Sequence, residues 1–175
     1  MLRNSPLRFV FPIGLYIAFC LDGSVSRIFG GQLFGVQSMV PMITLLWLTL
    51  GLLFENGINL HLGAWAALAG FVMDMYYFGT LGVFVFILPL VVYISRILYR
   101  YLPINFITGM LIYFIDITIS MSLAYFANRF VGLANVTGTN FLVSVLGPTL
   151  VLNLVLFIIT YYPISLLFDR YREKK

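Results

Sequence analysis

Two carboxylates interrupt the long apolar runs of this chain: Asp74, within Gly70-Phe71-Val72-Met73-Asp74-Met75, and Asp116, within Tyr113-Phe114-Ile115-Asp116-Ile117. A carboxylate surrounded by hydrocarbon is costly. Such residues face a protein interior or a water-filled cavity, and they mark a structural hydrogen bond or an ion path. No Lys, Arg or His lies deep in these runs to pair with them or to extend a relay. Asp116 therefore reads as a buried, hydrogen-bonded structural residue, with Ser120, one helical turn away, or Asn153 as its partner. Thr118, Ser122 and Thr160 are further polar groups in reach of such contacts. For Asp74 two readings stand: a carboxylate at a helix end that reaches interfacial water, or a buried polar tie between helices.

Other reactive side chains are few. His61 is the single histidine, at the entry to an apolar run beside Glu55 and Asn59, and one histidine makes no metal site. Cys20 is the single cysteine, so an intramolecular disulfide is excluded. There is no phosphate-binding glycine loop, no zinc motif and no nucleophile with its base. The expectation is a protein that is not an enzyme and holds neither cofactor nor metal.

The elements that position these residues follow from composition. Of 175 residues, 62% are hydrophobic and 9% charged, and mean hydropathy is +1.04. Soluble domains carry about 25% charged residues. Sixteen charged side chains cannot cover a water-soluble globule of this length. An ordinary soluble domain, a disordered chain and a nucleic-acid binder are thereby excluded, despite a pI near 9.3. An all-α polytopic membrane protein remains: a compact bundle of six transmembrane helices forming one integral membrane domain over 1–175. Six spans need about 120 residues, and the remainder is too short for a soluble catalytic domain. Arg3 and Arg8 before the run Phe9 to Leu21 resemble a signal peptide, but Phe19-Cys20-Leu21 offers no small residues for cleavage. The segment reads as a retained first helix, bent at Pro12.

Charges and turn residues divide the chain into spans near 8–21, 40–54, 61–77, 83–99, 104–126 and 141–168. Asp22-Gly23-Ser24 follows the first span, and Val25 to Phe29 either extends it or lies at the interface. Pro41 falls in the first turn of the second, where a missing N–H costs little. Glu55-Asn56-Gly57-Ile58-Asn59 is a turn, and Gly79-Thr80-Leu81-Gly82 makes a tight hairpin of spans three and four. Gly147-Pro148 interrupts the sixth span and Pro163 kinks it. Arg3, Arg8, Arg96, Arg100, Arg170, Arg172, Lys174 and Lys175 fall on one side, against Arg27 and Arg129 on the other, which places both termini in the cytoplasm. The basic tail reads as a topology anchor that meets anionic lipid in the bilayer.

Span three has a second feature. Gly63, Ala66, Ala67, Gly70 and Asp74 follow steps of three or four residues and line one helix face. Small residues let membrane helices approach closely, so this face serves either packing inside the bundle or docking of a partner helix.

The stretch Gly63 to Asp74, with Pro41 before it and Gly79 and Gly82 after it, resembles the MreD family of bacterial rod-shape-determining membrane proteins. Asn153, Tyr162-Pro163 and the short basic tail resemble the family's ending. The likeness covers nearly the whole chain. Where the family often has Leu-Leu-x-Asp, this chain has Phe71-Val72-Met73-Asp74. The resemblance implies a non-catalytic component of the cell-elongation complex in the bacterial plasma membrane. Its implied partners are a bitopic MreC-like protein and the side-wall peptidoglycan machinery, a RodA-type glycosyltransferase and a transpeptidase. Two other classes were weighed. A substrate-binding S-component of an energy-coupling-factor vitamin transporter shares the size and span number, and its ligand would need outer polar groups such as Asp22, Arg27, Gln32, Arg129, Asn135 and Asn140. An intramembrane enzyme lacks its nucleophile and metal ligands here.

Overall fold

The computed structural model describes residues 6–33, 37–55, 60–78, 82–132 and 137–172. Among these no strand occurs, and six apolar segments are helical: α1 (Leu7–Ile28), α3 (Ile43–Leu53), α4 (Leu62–Met73), α5 (Phe84–Tyr101), α6 (Phe106–Phe130) and α8 (Gly147–Arg172). Single turns α2 (Gly30–Leu33) and α7 (Gly138–Phe141) complete the set. A π-helical turn, Asp74–Phe78, ends α4, and another, Leu142–Leu146, joins α7 to α8. Successive long helices run in opposite directions. Arg8, Arg96, Arg100 and Arg170 share one end of the bundle, here the basic end. The other is the far end.

Burial explains the architecture. Every residue of α3 from Thr44 to Leu53 is buried. The other five long helices turn large apolar side chains outward, including Phe9 and Ile13 on α1, Phe71 on α4, Phe86 on α5, Ile107 on α6 and Ile158 on α8. A helix that is apolar all round belongs inside, and helices with apolar exteriors belong in lipid. Accordingly α3 touches all five others, which follow one another round it in the order α1, α4, α5, α6, α8. Contact between α1 and α3 is close because Gly14 leaves room for the Trp47 ring and Gly51 for the Phe11 ring. The Trp47 indole N–H donates to the Phe11 carbonyl at 3.0 Å.

Three boundaries differ from the sequence expectation. Asp22 does not end the first span: α1 continues to Ile28, through Asp22, Gly23 and Ser24. The second span is helical only from Ile43, and Pro41 lies in a non-helical stretch before it. That stretch is stable without helical bonds because side chains of α6 and α8 satisfy its backbone, as detailed below. Gly147-Pro148 marks a change of helix type and not a gap: the π-helical turn Leu142–Leu146 gives way there to α8, which starts at Gly147 and continues through Pro163. Pro148 has no N–H for the Ser144 carbonyl. That carbonyl instead accepts the Ser38 N–H at 2.8 Å, so the lost helical bond becomes a tie to the non-helical stretch. The turns expected at 56–59 and at Gly79-Thr80-Leu81 fall outside the described residues.

Length separates the helices into two sets. α1, α5, α6 and the α7–α8 run are long and apolar enough to cross a membrane, while α3 and α4 are shorter. At 1.5 Å per residue, α3 rises only about 16 Å, roughly half of a hydrocarbon core of about 30 Å.

Candidate functional site

The polar groups of the bundle converge on α3. At the far end Asp22 reaches from α1 to the first turn of α3. Its Oδ1 accepts the Ile43 N–H at 2.6 Å. Its Oδ2 accepts the Thr44 N–H at 2.8 Å and the Thr44 hydroxyl at 2.6 Å. A helix start leaves backbone N–H groups unpaired and carries partial positive charge, and a carboxylate answers both needs. Asp22 thus caps a helix other than its own. Residues 38–42 are held from the opposite wall. Asn153 of α8 accepts the Met42 N–H at 2.8 Å and donates to the Val40 carbonyl at 2.8 Å. Thr149 accepts the Val40 N–H at 3.1 Å, and the Tyr113 hydroxyl of α6 lies 3.1 Å from the Met42 carbonyl. Non-helical backbone at membrane depth survives only where protein satisfies it in this way.

Half-way along α3 lies the second polar level. The Asp116 carboxylate of α6 accepts the Thr49 hydroxyl of α3 at 2.7 Å and, by a short bond, the Ser95 hydroxyl of α5. Three helices meet in one side chain. The partners are neither Ser120 nor Asn153. Ser120 is buried, and its hydroxyl finds no partner among the described residues, as does that of Tyr99; Asn153 is engaged with 40–42.

Asp74 is fully buried, which removes the interfacial-water reading. Its oxygens accept the N–H groups of Gly82 at 3.0 Å, Phe84 at 2.9 Å and Val85 at 3.1 Å. It is a second long-range cap, here for the start of α5. Gly70, one turn earlier, sits against the Phe84 backbone so tightly that a methyl group would overlap the Phe84 carbonyl oxygen. The small-residue face is therefore divided. Ala66 and Gly70 are buried, whereas Gly63 is exposed and Ala67 half-buried, and nothing crowds Gly63. At the basic end Glu55 accepts from Leu60 N–H at 3.1 Å and pairs with Arg96 at 3.0 Å, linking the end of α3 to α4 and α5. His61 starts α4 in a left-handed conformation (φ 51°) at the same end.

The sequence reading missed Asp22, Thr44, Thr49, Ser95 and Thr149. A usable signal existed for Asp22. The buried residues of α1 are Leu7, Phe11, Leu15, Ala18 and Asp22, in steps of three and four, so helical periodicity continued past Leu21 puts Asp22 on the inward face.

Chemically the arrangement binds helices. Asp22, Asp74 and Asp116 are each at most 4% exposed and each occupied by donors of the chain, so none is poised as a general base. Among the described residues no group of three His, Cys, Asp or Glu could hold a metal. Beyond these ties the far half of the bundle holds a partly open cavity of about 450 Å³, bordered by Asp22, Pro41, Met73, Met121 and Phe141.

Comparison with known proteins gives one match. The family described as rod shape-determining protein MreD matches residues 6–171, and the chain belongs to that family. No curated protein and no solved structure matches it.

Proposed function

For this member of the bacterial rod-shape-determining MreD family, we propose a non-catalytic role as the membrane scaffold of the cell-elongation complex. It is one integral membrane domain of six spans with both termini cytoplasmic, so the basic end faces the cytoplasm. It holds the single transmembrane helix of a bitopic MreC-like partner, and through that partner it positions a RodA-type glycosyltransferase and a transpeptidase for side-wall peptidoglycan synthesis. The observation that carries the reading is the state of the buried carboxylates. All three are consumed in fixing one helix to another, which suits a rigid adaptor.

The partner contact is proposed on the open part of the small-residue face, Gly63 and Ala67. Ala66 and Gly70 are taken up within the bundle, whereas these two let a second helix approach α4 from the membrane. Co-purification from detergent tests this. The double substitution Gly63→Leu and Ala67→Leu should leave the yield of folded protein unchanged and lower recovery of the bitopic partner at least severalfold. Unchanged recovery would remove this face from the interface, and a chain that captures no bitopic partner at all would remove the scaffold reading.

A further inference from the structure

The cavity at the far end follows from the short central helix. α3 fills the bundle axis for 11 residues only, while α1, α5, α6 and α8 continue beyond its first turn. The chain leading into α3 cannot fill the remaining space, because Asn153 and Thr149 hold it against α8. A chamber of about 450 Å³ is left above the start of α3. Its walls are Pro41, Met73, Phe84, Met121, Phe141 and Val145. The volume lies within the range of about 300–1,000 Å³ found for small-molecule sites. Thioether side chains such as Met73 and Met121 adapt to differing apolar shapes.

The charge of the chamber is as informative as its size. Among the described residues no Lys, Arg or His lines it. Its one carboxylate, Asp22, spends both oxygens on the first turn of α3. The same contact cancels the positive end of that helix, so neither a cation nor an anion meets an unpaired opposite charge. Among the described residues three neutral hydrogen-bonding side chains are on the lining: Tyr125 of α6, whose hydroxyl accepts from exposed Arg129 at 2.7 Å, and Ser26 of α1 and Asn128 of α6, both half-buried. Neither the Ser26 nor the Asn128 side chain makes a hydrogen bond among the described residues. Ser26 lies further toward the far end than Asp22 on α1, and Asn128 further than Met121, Ala124 and Tyr125 on α6. They form the polar rim of an apolar chamber.

We propose that this chamber binds a neutral amphiphile, with an apolar chain or ring among Met73, Met121, Phe84 and Phe141 and an uncharged hydroxyl- or amide-bearing head at Ser26 and Asn128. A small free molecule and an uncharged membrane lipid both have this chemistry. The inference stands apart from the scaffold role: the chamber is on the bundle axis, not on the open face of α4.

The test is photolabelling of the full-length protein in nanodiscs with a diazirine-bearing monoacylglycerol, and with the fatty acid of the same chain, followed by peptide mapping. The neutral probe should label the chamber saturably at Met121 and Phe141, at least tenfold more than the anionic one. Ala124→Trp, which fills the chamber from α6, should abolish that labelling and leave labelling of lipid-facing Phe86 intact. Ser26→Ala with Asn128→Ala removes only the rim donors; it should fold as the parent does and weaken competition by unlabelled monoacylglycerol severalfold. This second variant decides the matter if Ala124→Trp fails to fold. Native mass spectrometry assigns the source: a retained diacylglycerol or other uncharged lipid, or an exchanged single-chain probe, each meets the proposal, and a retained phospholipid overturns it. Labelling confined to the lipid-facing surface, equal labelling by the anionic probe, or no response to the rim variant would overturn it. So would a crosslinker at Met121 that captures a second protein chain, which would give the chamber to a partner's side chains.

Discussion

Removing the Asp22 carboxylate tests the central claim that a residue of α1 caps α3. Asp22→Ala strands the N–H groups of Ile43 and Thr44 and the Thr44 hydroxyl, all now within 2.6–2.8 Å of the carboxylate. A buried donor left without a partner costs about 1–3 kcal/mol. Polar contacts inside membrane proteins average nearer about 0.6 kcal/mol, because the unfolded chain in lipid also finds partners. Three such bonds bracket the loss at roughly 2–9 kcal/mol. For a chain of this length that lowers the melting midpoint by at least about 4 °C, on a scaling of about 2–4 °C per kcal/mol taken from soluble domains. Asp22→Asn keeps one acceptor oxygen and should lose less than half as much. Intrinsic fluorescence in detergent is the assay, since Trp47 lies on α3 and donates to Phe11 of α1. The double variant with Thr44→Val should cost less than the sum of the single ones, as residues in one network do. An Asp22→Ala protein that melts with the parent, or strict additivity with Thr44→Val, would refute the cap.

Asp116→Asn should fold like the parent, whereas Asp116→Leu should destabilise by about 1–3 kcal/mol in the same melt; the loss is limited because Ser95 and Thr49 can turn to their own Val91 and Leu45 carbonyls, at 2.9 and 3.0 Å. Gly70→Leu should deplete folded protein on size-exclusion chromatography, since overpacking costs about 1–3 kcal/mol and the obstacle here is the Phe84 backbone. Glu55→Gln should shift the melt little, since the Arg96 side chain is 42% exposed and pairs so placed contribute about 0–1 kcal/mol. Reporter fusions at Lys175 and Thr137 should report cytoplasm and exterior respectively; an external Lys175 would reverse the orientation proposed above.

What the sequence revealed depended on which force acted. The lipid-facing helices were legible because hydrophobic content and Lys/Arg placement report directly on a bilayer, and the short elements were legible where Gly or charge stood beside them. The depth of Asp116 was legible too, since its distance from either end of an apolar run can be counted. Its partners were not. Thr49 and Ser95 lie on two other helices, and local spacing carries no trace of which faces meet. The same limit hid the fate of Pro41. Its neighbours look helical by hydrophobicity alone, and only Asn153, more than a hundred residues later, makes the non-helical path affordable. Asp22 failed for a different reason: Asp-Gly-Ser reads as a turn in water, while in a helix with an inward acceptor site the same residues continue the helix. The small-residue face of α4 was seen as one stripe. Its division into Ala66 and Gly70 inside and Gly63 outside needed the position of α5.

These failures share a cause that bears on how the protein works. Water drives apolar side chains together, but lipid does not, so a membrane bundle needs close backbone approach and polar ties to choose its neighbours. Here the carboxylates supply that choice. Asp22 joins α1 to α3, Asp116 joins α6 to α3 and α5, and Asp74 fixes α5 to α4. Each tie reaches across elements, and with Asn153 and Thr149, which hold α8 to the stretch before α3, they fix the ring of five helices around a short sixth. That order has a consequence at each end of α3. At the basic end Glu55 closes the structure against α4 and α5. At the far end the axis stays open, because the residues that could have continued α3 are instead held to the wall by Asn153. Were Asn153 replaced by Leu, the 40–42 backbone would lose both of its side-chain amide contacts and would be free to wind into the helix, extending α3 into the chamber. The chamber and the long-range caps are thus one design: the polar ties that specify the bundle also keep its far half hollow.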